Sequence, residues 1–177
     1  HQIGGAVGAG GMVTHEPQTA TETNAIGQWA ADNGILIECA RFTVATGGQV
    51  NANSAGYAGG TLVLREGRGP GGGKAGGVRG GGGSYGGQGG RGNDTTASSP
   101  YGLAAAPADP GSGGGAKVGE SSGGAGGGYV RIEATDHVLV NGVVSANGAG
   151  GTGDSGGGGS GGGVYIICRT FAGTNSM

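Results

Sequence analysis

Glycine at every third residue is the feature that most constrains what this chain can fold into. Three residues per turn is the period of the extended polyproline II helix, which has no internal hydrogen bonds. A glycine edge on such a helix lets another backbone approach and bond to its free N–H and C=O groups. The pattern predicts packed polyglycine helices, although a flexible glycine-serine linker is the alternative for such a composition. The glycines at this three-residue spacing form two columns, and we call them the column glycines: Gly77, Gly80, Gly83, Gly86, Gly89 and Gly92 in the first, and Gly150, Gly153, Gly156, Gly159 and Gly162 in the second.

Composition restricts the class of protein further. Glycine supplies 52 of the 177 residues and the formal net charge is −2, which indicates neither a charged disordered chain nor a protein that binds nucleic acid. The sequence holds no apolar run long enough for a membrane span, so we expect no membrane insertion. Aromatic residues make up only 5% of the chain. A conventional large core is therefore not expected, and the layers of the fold should be mostly backbone.

Short apolar runs and an internal repeat predict stacked β-strands. Each run follows a glycine and is rich in β-branched residues, as strands are. Residues 40–56 match residues 134–150 without a gap, and such a repeat of one unit implies stacking. Each full unit has the order strand, short turn, strand, glycine turn, strand and then a glycine-rich segment, which is typical of one coil of a β-helix. The predicted strands are residues 34–39, 60–65, 128–133 and 163–168.

The apolar runs also predict how the strands are covered. The run Ile35-Leu36-Ile37 is apolar on both faces, so we expect both sides of the sheet to be buried. The glycine content disfavours helices, which leaves the glycine-rich segments as the cover. The predicted fold is all-β, a β-helix or β-solenoid-like repeat of short strands covered by polyglycine II-type segments. We expect one β-repeat domain over residues 34–177, in which residues 67–127 are a long glycine-rich insertion that folds as an ordered layer.

Residues 1–33 form an N-terminal arm that has no counterpart in the repeat. This arm either caps the first coil of its own chain or adds a strand to the next subunit, as segments do at exposed sheet edges. Its candidate assembly residues are Ile3, Val7, Met12, Val13 and Trp29.

Two cysteines, Cys39 and Cys168, occupy the same place in the first and last runs. If the four runs stack in sequence order, the cysteines lie about 14 Å apart, and a disulfide needs Cα atoms roughly 4.4–6.8 Å apart. An intrachain disulfide in another strand order is the preferred hypothesis. The alternatives are a bond from Cys168 of one subunit to Cys39 of the next, and two free thiols.

The remaining polar residues do not suggest an enzyme. Most aspartates stand beside Gly, Asn or Pro, which is typical of turns, and no paired-carboxylate cluster is evident. No cofactor is predicted, although calcium is a weaker hypothesis for these loops. The triplet Asn93-Asp94-Thr95 makes Asn93 a possible glycosylation site. Together with a first residue, His1, that is not Met, it favours a secreted, extracellular or cell-surface protein.

The stretch Gly128-Tyr-Val-Arg-Ile-Glu-Ala134, followed by Gly142-Val-Val-Ser-Ala-Asn-Gly148 and a glycine run, resembles glycine-rich β-helix repeats of large bacterial surface proteins. The resemblance spans roughly residues 34–172 and implies an exported scaffold with no catalytic residues. The glycine triplets also resemble the polyglycine-helix adhesin tips of phage tail fibres, in which loops between glycine motifs bind bacterial surface receptors.

These observations lead to two hypotheses of function. The first is an extracellular structural protein whose only partner is itself, and whose subunits stack through open sheet ends into a filament or surface layer. The alternative is an adhesin on a polyglycine-helix scaffold whose loops, residues 85–101 above all, bind a cell-surface glycan or receptor.

Overall fold

Eight β-strands and no helix are found in residues 4–174, the part of the chain that the computed structural model describes. The prediction of a β-fold without helices is therefore confirmed for these residues. Ile3, one of the predicted arm residues, lies outside the described residues. The strands are β1 (Gly4–Val7), β2 (Met12–Val13), β3 (Ile35–Val44), β4 (Gln49–Asn51), β5 (Tyr129–Val140), β6 (Val143–Ser145), β7 (Gly163–Ile167) and β8 (Thr170–Ala172).

The strands form two sheets in which every neighbouring pair is parallel. Sheet A has the order β1-β3-β5-β7, and β8 also pairs with β5, beyond the end of β7. Sheet B has the order β2-β4-β6. Short turns carry the chain from β1 to β2, from β3 to β4 and from β5 to β6, each time from sheet A to sheet B. Gly47 in one of these turns has φ 80°, which favours glycine. Glycine-rich segments lead back to sheet A from β4 and from β6, whereas residues 14–34, which join β2 to β3, contain only two glycines.

The apolar core lies between the two sheets. Alternate residues of β5 are buried, among them Val130, Ile132 and Val138. The opposite face of sheet A is not covered, because Leu36 and Ile167 are both exposed. The prediction that both faces of the sheet are buried is therefore wrong. The glycine-rich segments lie between the end of sheet B and the start of sheet A, and they leave this outer face to solvent.

The predicted strand at residues 60–65 is also wrong, because Thr61 folds this run into a turn. The Thr61 Oγ1 atom accepts hydrogen bonds from the N–H groups of Val63 (3.3 Å) and Leu64 (2.9 Å). The Thr61 N–H donates to the Leu64 carbonyl over 2.8 Å. A hydroxyl that captures nearby backbone groups competes with strand pairing. The apolar side chains of this turn point into solvent, and Val63 is 84% exposed.

Candidate functional site

The centre of the glycine-rich region is one fully buried backbone segment, residues 111–116. Its largest side chain is Ser112, so almost everything that is buried here is peptide group. All six N–H groups and all six carbonyl groups of the segment are hydrogen-bonded, over 2.8–3.1 Å. Because buried peptide groups are costly when they lack partners, this complete pairing is what allows a core without side chains.

Most hydrogen bonds of this central segment repeat every three residues, and the exceptions are the N–H groups of Ser112 and Gly115, which donate to Ser160 and to Gly81. The N–H groups of Gly111 and Gly114 both donate to the segment 124–127, and those of Gly113 and Ala116 both donate to the segment 65–68. The carbonyls follow the same rule. Those of residues 111 and 114 accept from the segment 57–60, and those of residues 113 and 116 accept from the segment 73–76. Successive residues therefore bond in different directions around the segment.

Such close packing depends on glycine. A methyl group on Gly113 would overlap the Ala58 carbonyl oxygen, and one on Gly114 would overlap the Gly157 carbonyl oxygen. Seven of the eleven column glycines likewise face a backbone carbonyl that a Cβ would strike: Gly80, Gly83, Gly89, Gly92, Gly156, Gly159 and Gly162.

The other four column glycines have different surroundings. A Cβ on Gly86 or Gly150 would have no atom within 4 Å, and one on Gly77 would meet only the Asp94 carboxylate. Gly153 faces the Ser121 hydroxyl and has φ +58°. These four positions lie in turns or at the surface, outside the tightly packed part of the glycine-rich region.

Both ends of the stacked sheets are open within the described residues. At the first end, β1 pairs only with residues 41–44 of β3, and no described strand covers residues 35–39. At the last end, no described strand lies beyond β6 in sheet B or beyond β7 and β8 in sheet A. A groove of about 830 Å³ opens over β6, and its lining includes Val144, Val164, Ile166 and Phe171. Unpaired edges of this kind can pair with another strand.

The N-terminal arm folds onto its own chain, which is one of the two predicted arrangements. Strands β1 and β2 pair with β3 and β4, so Val7 is buried and Val13 is half-buried, while Met12 is exposed. Trp29 is half-buried and its ring lies edge-on to that of Tyr57, with centroids 5.3 Å apart. The rest of the arm, residues 14–33, is held by backbone and side-chain hydrogen bonds of Gln18.

Cys39 and Cys168 are both free thiols, so the preferred hypothesis of an intrachain disulfide is wrong. Ile167 pairs with Glu133, and Cys39 pairs with Ala134, so strand β5 separates the two cysteines. Two strand spacings amount to about 10 Å, which is beyond the reach of a disulfide. Both side chains pack against the core from the inner face of sheet A, and burial raises the pKa of the Cys39 thiol.

A row of charges crosses the outer face of sheet A. The Asp136 carboxylate bonds to Arg41 from β3, over 2.9 Å between Nε and Oδ2, and to Arg169 between β7 and β8. Hydrogen bonds from Arg41 and then from Arg169 lower the pKa of Asp136 to about 2. The row joins β3, β5 and the link between β7 and β8, and both arginine side chains are largely exposed.

The loops at the far end of the glycine-rich region meet one another. We call this surface the loop end, and it consists of residues 61–66, 76–80, 117–122 and 152–155. The Val118 N–H donates to Gly76, and the Thr152 N–H donates to Ser122. The loop end exposes the aliphatic side chains Leu62, Val63, Leu64, Val78 and Val118.

The tyrosines of the predicted receptor loop lie elsewhere and pack on each other. The rings of Tyr85 and Tyr101 are edge-on, with centroids 5.0 Å apart, and both residues are half-buried. Asn93 of the possible glycosylation site is exposed in a turn. That turn is held by Asp94, whose carboxylate accepts the Gly77 N–H over 2.7 Å, and this bond lowers the pKa of Asp94.

Neither a metal-binding cluster nor a membrane-spanning helix is present among the described residues. Residues 4–174 contain no group of three His, Cys, Asp or Glu side chains placed to hold a metal ion. Within the same residues, no helix has the length and apolarity needed to cross a membrane. No protein-family model, no curated protein and no solved structure matches the chain.

Proposed function

We propose that this protein is an extracellular structural protein whose copies stack end to end into a filament or surface layer. The observation that carries the proposal is that, among residues 4–174, sheets made only of parallel strands have an unpaired edge at each end, over residues 35–39 and over β6 and β7. Because all strands of a sheet are parallel, its first and last strands run in the same direction. A second copy can therefore continue the sheets without being inverted, and such head-to-tail contacts build open assemblies.

We further propose that the repeat is a β-solenoid whose third side is a polyglycine II-type layer. The parallel order of the sheets supports the solenoid, because the pairs β1 and β2, β3 and β4, and β5 and β6 each add one strand to sheet A and one to sheet B in sequence order. The three-residue period of the hydrogen bonds around residues 111–116 supports the polyglycine layer, since three residues per turn distinguishes that helix from a β-strand. Such a thin, fully bonded layer suits a wall.

The proposed joint between two copies has a definite register. Strand β7 of one copy would pair with residues 35–39 of the next, in the register that β5 uses with β3. Cys168 would then face Cys39 of the next copy on an adjacent strand, close to the Cα spacing that a disulfide requires. The two cysteines that cannot bond within one chain can therefore bond between chains.

Negative-stain electron microscopy of the non-reduced protein, with a non-reducing gel alongside, tests this assembly. We expect filaments or sheets, and a ladder of covalent multimers that collapses on reduction. Cys39→Ser and Cys168→Ser variants should each lose the ladder and keep the assemblies. Discrete particles at every concentration would contradict end-to-end stacking. Filaments in which the ladder persists in both variants would contradict the proposed joint.

The second candidate function is a receptor-binding adhesin, and the exposed aliphatic cluster at the loop end favours it. Exposed apolar patches of this kind commonly mark binding surfaces. An adhesin predicts discrete particles together with saturable binding to a glycan array or to bacterial cells. Val63→Ser should weaken that binding, whereas Val143→Ser, at an exposed position of β6 outside the loop end, should leave it unchanged.

A further inference from the structure

The strands stack in three columns, which are the first half of sheet A, the second half of sheet A, and sheet B. These columns do not contain equal numbers of strands. Sheet A divides near residue 40 of β3 into a start half and an end half. Within the described residues, the start half holds three strands, from β3, β5 and β7, and sheet B also holds three. The end half holds four, because β1 and β8 both pair there. Copies that stack into continuous sheets must contribute the same number of strands to every column.

Strand β8 is the surplus strand that can most readily leave. All three of its residues are exposed, and Phe171, which faces the groove, is 49% exposed. By contrast, β1 ends on the buried Val7, which belongs to the core cluster. Segments with few buried apolar contacts open at the lowest free energy. Detachment of β8 leaves three strands in each column.

Residues 4–13 fit the place that β8 would vacate. Within its own chain this segment lays β1 on the end half of β3 and β2 on β4, with Val7 beside Val44 and Val13 beside Val50. The same two strands continue to β5 and β6, where Val140 and Val144 occupy the equivalent positions. The floor of the groove is β6, which is the equivalent, one repeat further along, of the strand β4 that β2 pairs with in its own chain.

We infer that the groove over β6 receives residues 4–13 of a second copy, and that β8 acts as a plug which must be displaced first. This inference rests on the proposed end-to-end assembly and specifies its contact. In the joined state, β1 of the incoming copy takes the place of β8 on β5, and its β2 pairs with β6. Addition of a strand to an exposed sheet edge is an established mode of protein recognition.

Binding of a peptide tests the groove without requiring filaments. The probe is a fluorescein-labelled peptide of residues 4–13, titrated with the full chain and followed by fluorescence anisotropy. A plug reduces apparent affinity by the fraction of molecules in which it is open. Phe171→Ala, which removes the groove-facing side chain of β8, should therefore tighten binding by about tenfold or more. Thr170→Ala is the matched control, because Thr170 is exposed on the same strand, and it should bind like the wild type.

A second peptide carrying Val7→Asp and Val13→Asp tests whether binding depends on these two valines, which would lie beside Val140 and Val144 in the groove. We expect no saturable binding of this peptide to any variant. Equal affinity of the wild type and Phe171→Ala for the unmodified peptide would overturn the plug. Equal binding of the two peptides would overturn the register.

Disulfide trapping tests the same contact between whole chains. Met12 and Val143 are both exposed and both align with Gln49 in sheet B. Two proteins, Met12→Cys and Val143→Cys, each with Cys39→Ser and Cys168→Ser, should form a mixed disulfide when they are combined. The control pair replaces Met12→Cys by Val63→Cys, an exposed loop position, and should cross-link at least about tenfold more slowly because it relies on random encounter.

The outcomes separate this inference from the proposed function. Filaments with the Cys39–Cys168 ladder, but without the Met12–Val143 cross-link, would leave stacking intact and overturn the role of the groove. Peptide binding that Phe171→Ala tightens, in a protein that forms no filaments, would support the groove and contradict end-to-end assembly.

Discussion

Gly113 lies so close to Ala58 that a methyl group on Gly113 would overlap the Ala58 carbonyl oxygen. The atoms that this methyl group would meet are all backbone atoms. Gly113 itself is buried in the central segment, and its N–H and carbonyl groups are both hydrogen-bonded. Gly113→Ala should therefore push two bonded segments apart and destabilise the protein by about 3 kcal/mol or more. Urea unfolding followed by circular dichroism measures this change in the free energy of unfolding.

The matched control for that substitution is Gly90→Ala. Gly90 is exposed, and a Cβ there would meet no atom within 4 Å. We expect a change within about 0.5 kcal/mol. Equal destabilisation by the two substitutions would contradict the close-packing explanation, because the effect of Gly→Ala on the unfolded chain is stabilising at both positions.

Acid should weaken the charge row on sheet A. Hydrogen bonds from Arg41 and Arg169 lower the pKa of Asp136 in the folded protein from its ordinary value of 3.8 to about 2. A carboxyl whose pKa is lowered by folding contributes stability above its unfolded pKa, and this contribution is lost as the pH falls through the folded pKa. The wild type should thus be more stable than Asp136→Asn near neutral pH, and the difference should shrink from pH 3.8 down to about 2. Thermal unfolding of both proteins across this range measures the effect.

The salt dependence of the same difference provides its control. The partners of Asp136 are exposed, so added salt should screen them. At neutral pH, the gap in melting temperature between wild type and Asp136→Asn should narrow as NaCl is added. A gap that does not change with salt would indicate that the substitution acts on packing.

Tyr57 should ionise late and couple alkaline pH to stability. Its burial, followed by the charges of Asp109 and Asp32, raises its pKa to about 12 from 10.0. An acid whose pKa is raised by folding stabilises the fold below its unfolded pKa, and this stability is lost as the pH rises through the folded pKa. Wild type should therefore lose more stability than Tyr57→Phe between pH 10.0 and about 12. The pH at which Tyr57 ionises is measured by titrating the phenolate absorbance at 295 nm in both proteins and subtracting the curve of Tyr57→Phe from that of the wild type.

Reduced monomer should contain two thiols that cannot join within one chain. Dilution to a concentration at which stacking is absent, followed by mild oxidation, should leave both Cys39 and Cys168 free for alkylation. Cys39 should react slowly, because burial raises its thiol pKa and the thiolate is the reactive form. Mass spectrometry of tryptic peptides after alkylation measures both sites. An intrachain disulfide peptide at low concentration would contradict the observed strand order.

The sequence repeat correctly identified the units that stack, but not their register along the whole strand. The gapless alignment matches Val44 with Val138, whereas the structure pairs Val44 with Val140. An irregularity between Cys39 and Arg41 shifts the pairing of β3. The turn before β4 is longer than the turn before β6, so Val50 still meets its sequence match, Val144. Bulges and turn lengths cancel over one unit, and an alignment without gaps cannot detect them.

The buried central segment was missed because its glycines form no long column. What marks it in the sequence is the absence of any side chain larger than serine from Gly111 to Ala116, directly after Pro110. The turn at Thr61 was missed for another reason. Its Leu62-Val63-Leu64 run satisfies every strand criterion, and only the hydroxyl that precedes it indicates the competing local hydrogen bonds.

The three-residue hydrogen-bond rotation around residues 111–116 limits how the length of this region can vary. Removal of one residue turns every later donor and acceptor by about a third of a turn, so each would point at the wrong neighbour. Removal of three residues restores the direction of all of them. Length changes inside the glycine-rich segments should therefore be tolerated only in steps of three, whereas the exposed turns that join the segments can gain or lose residues singly.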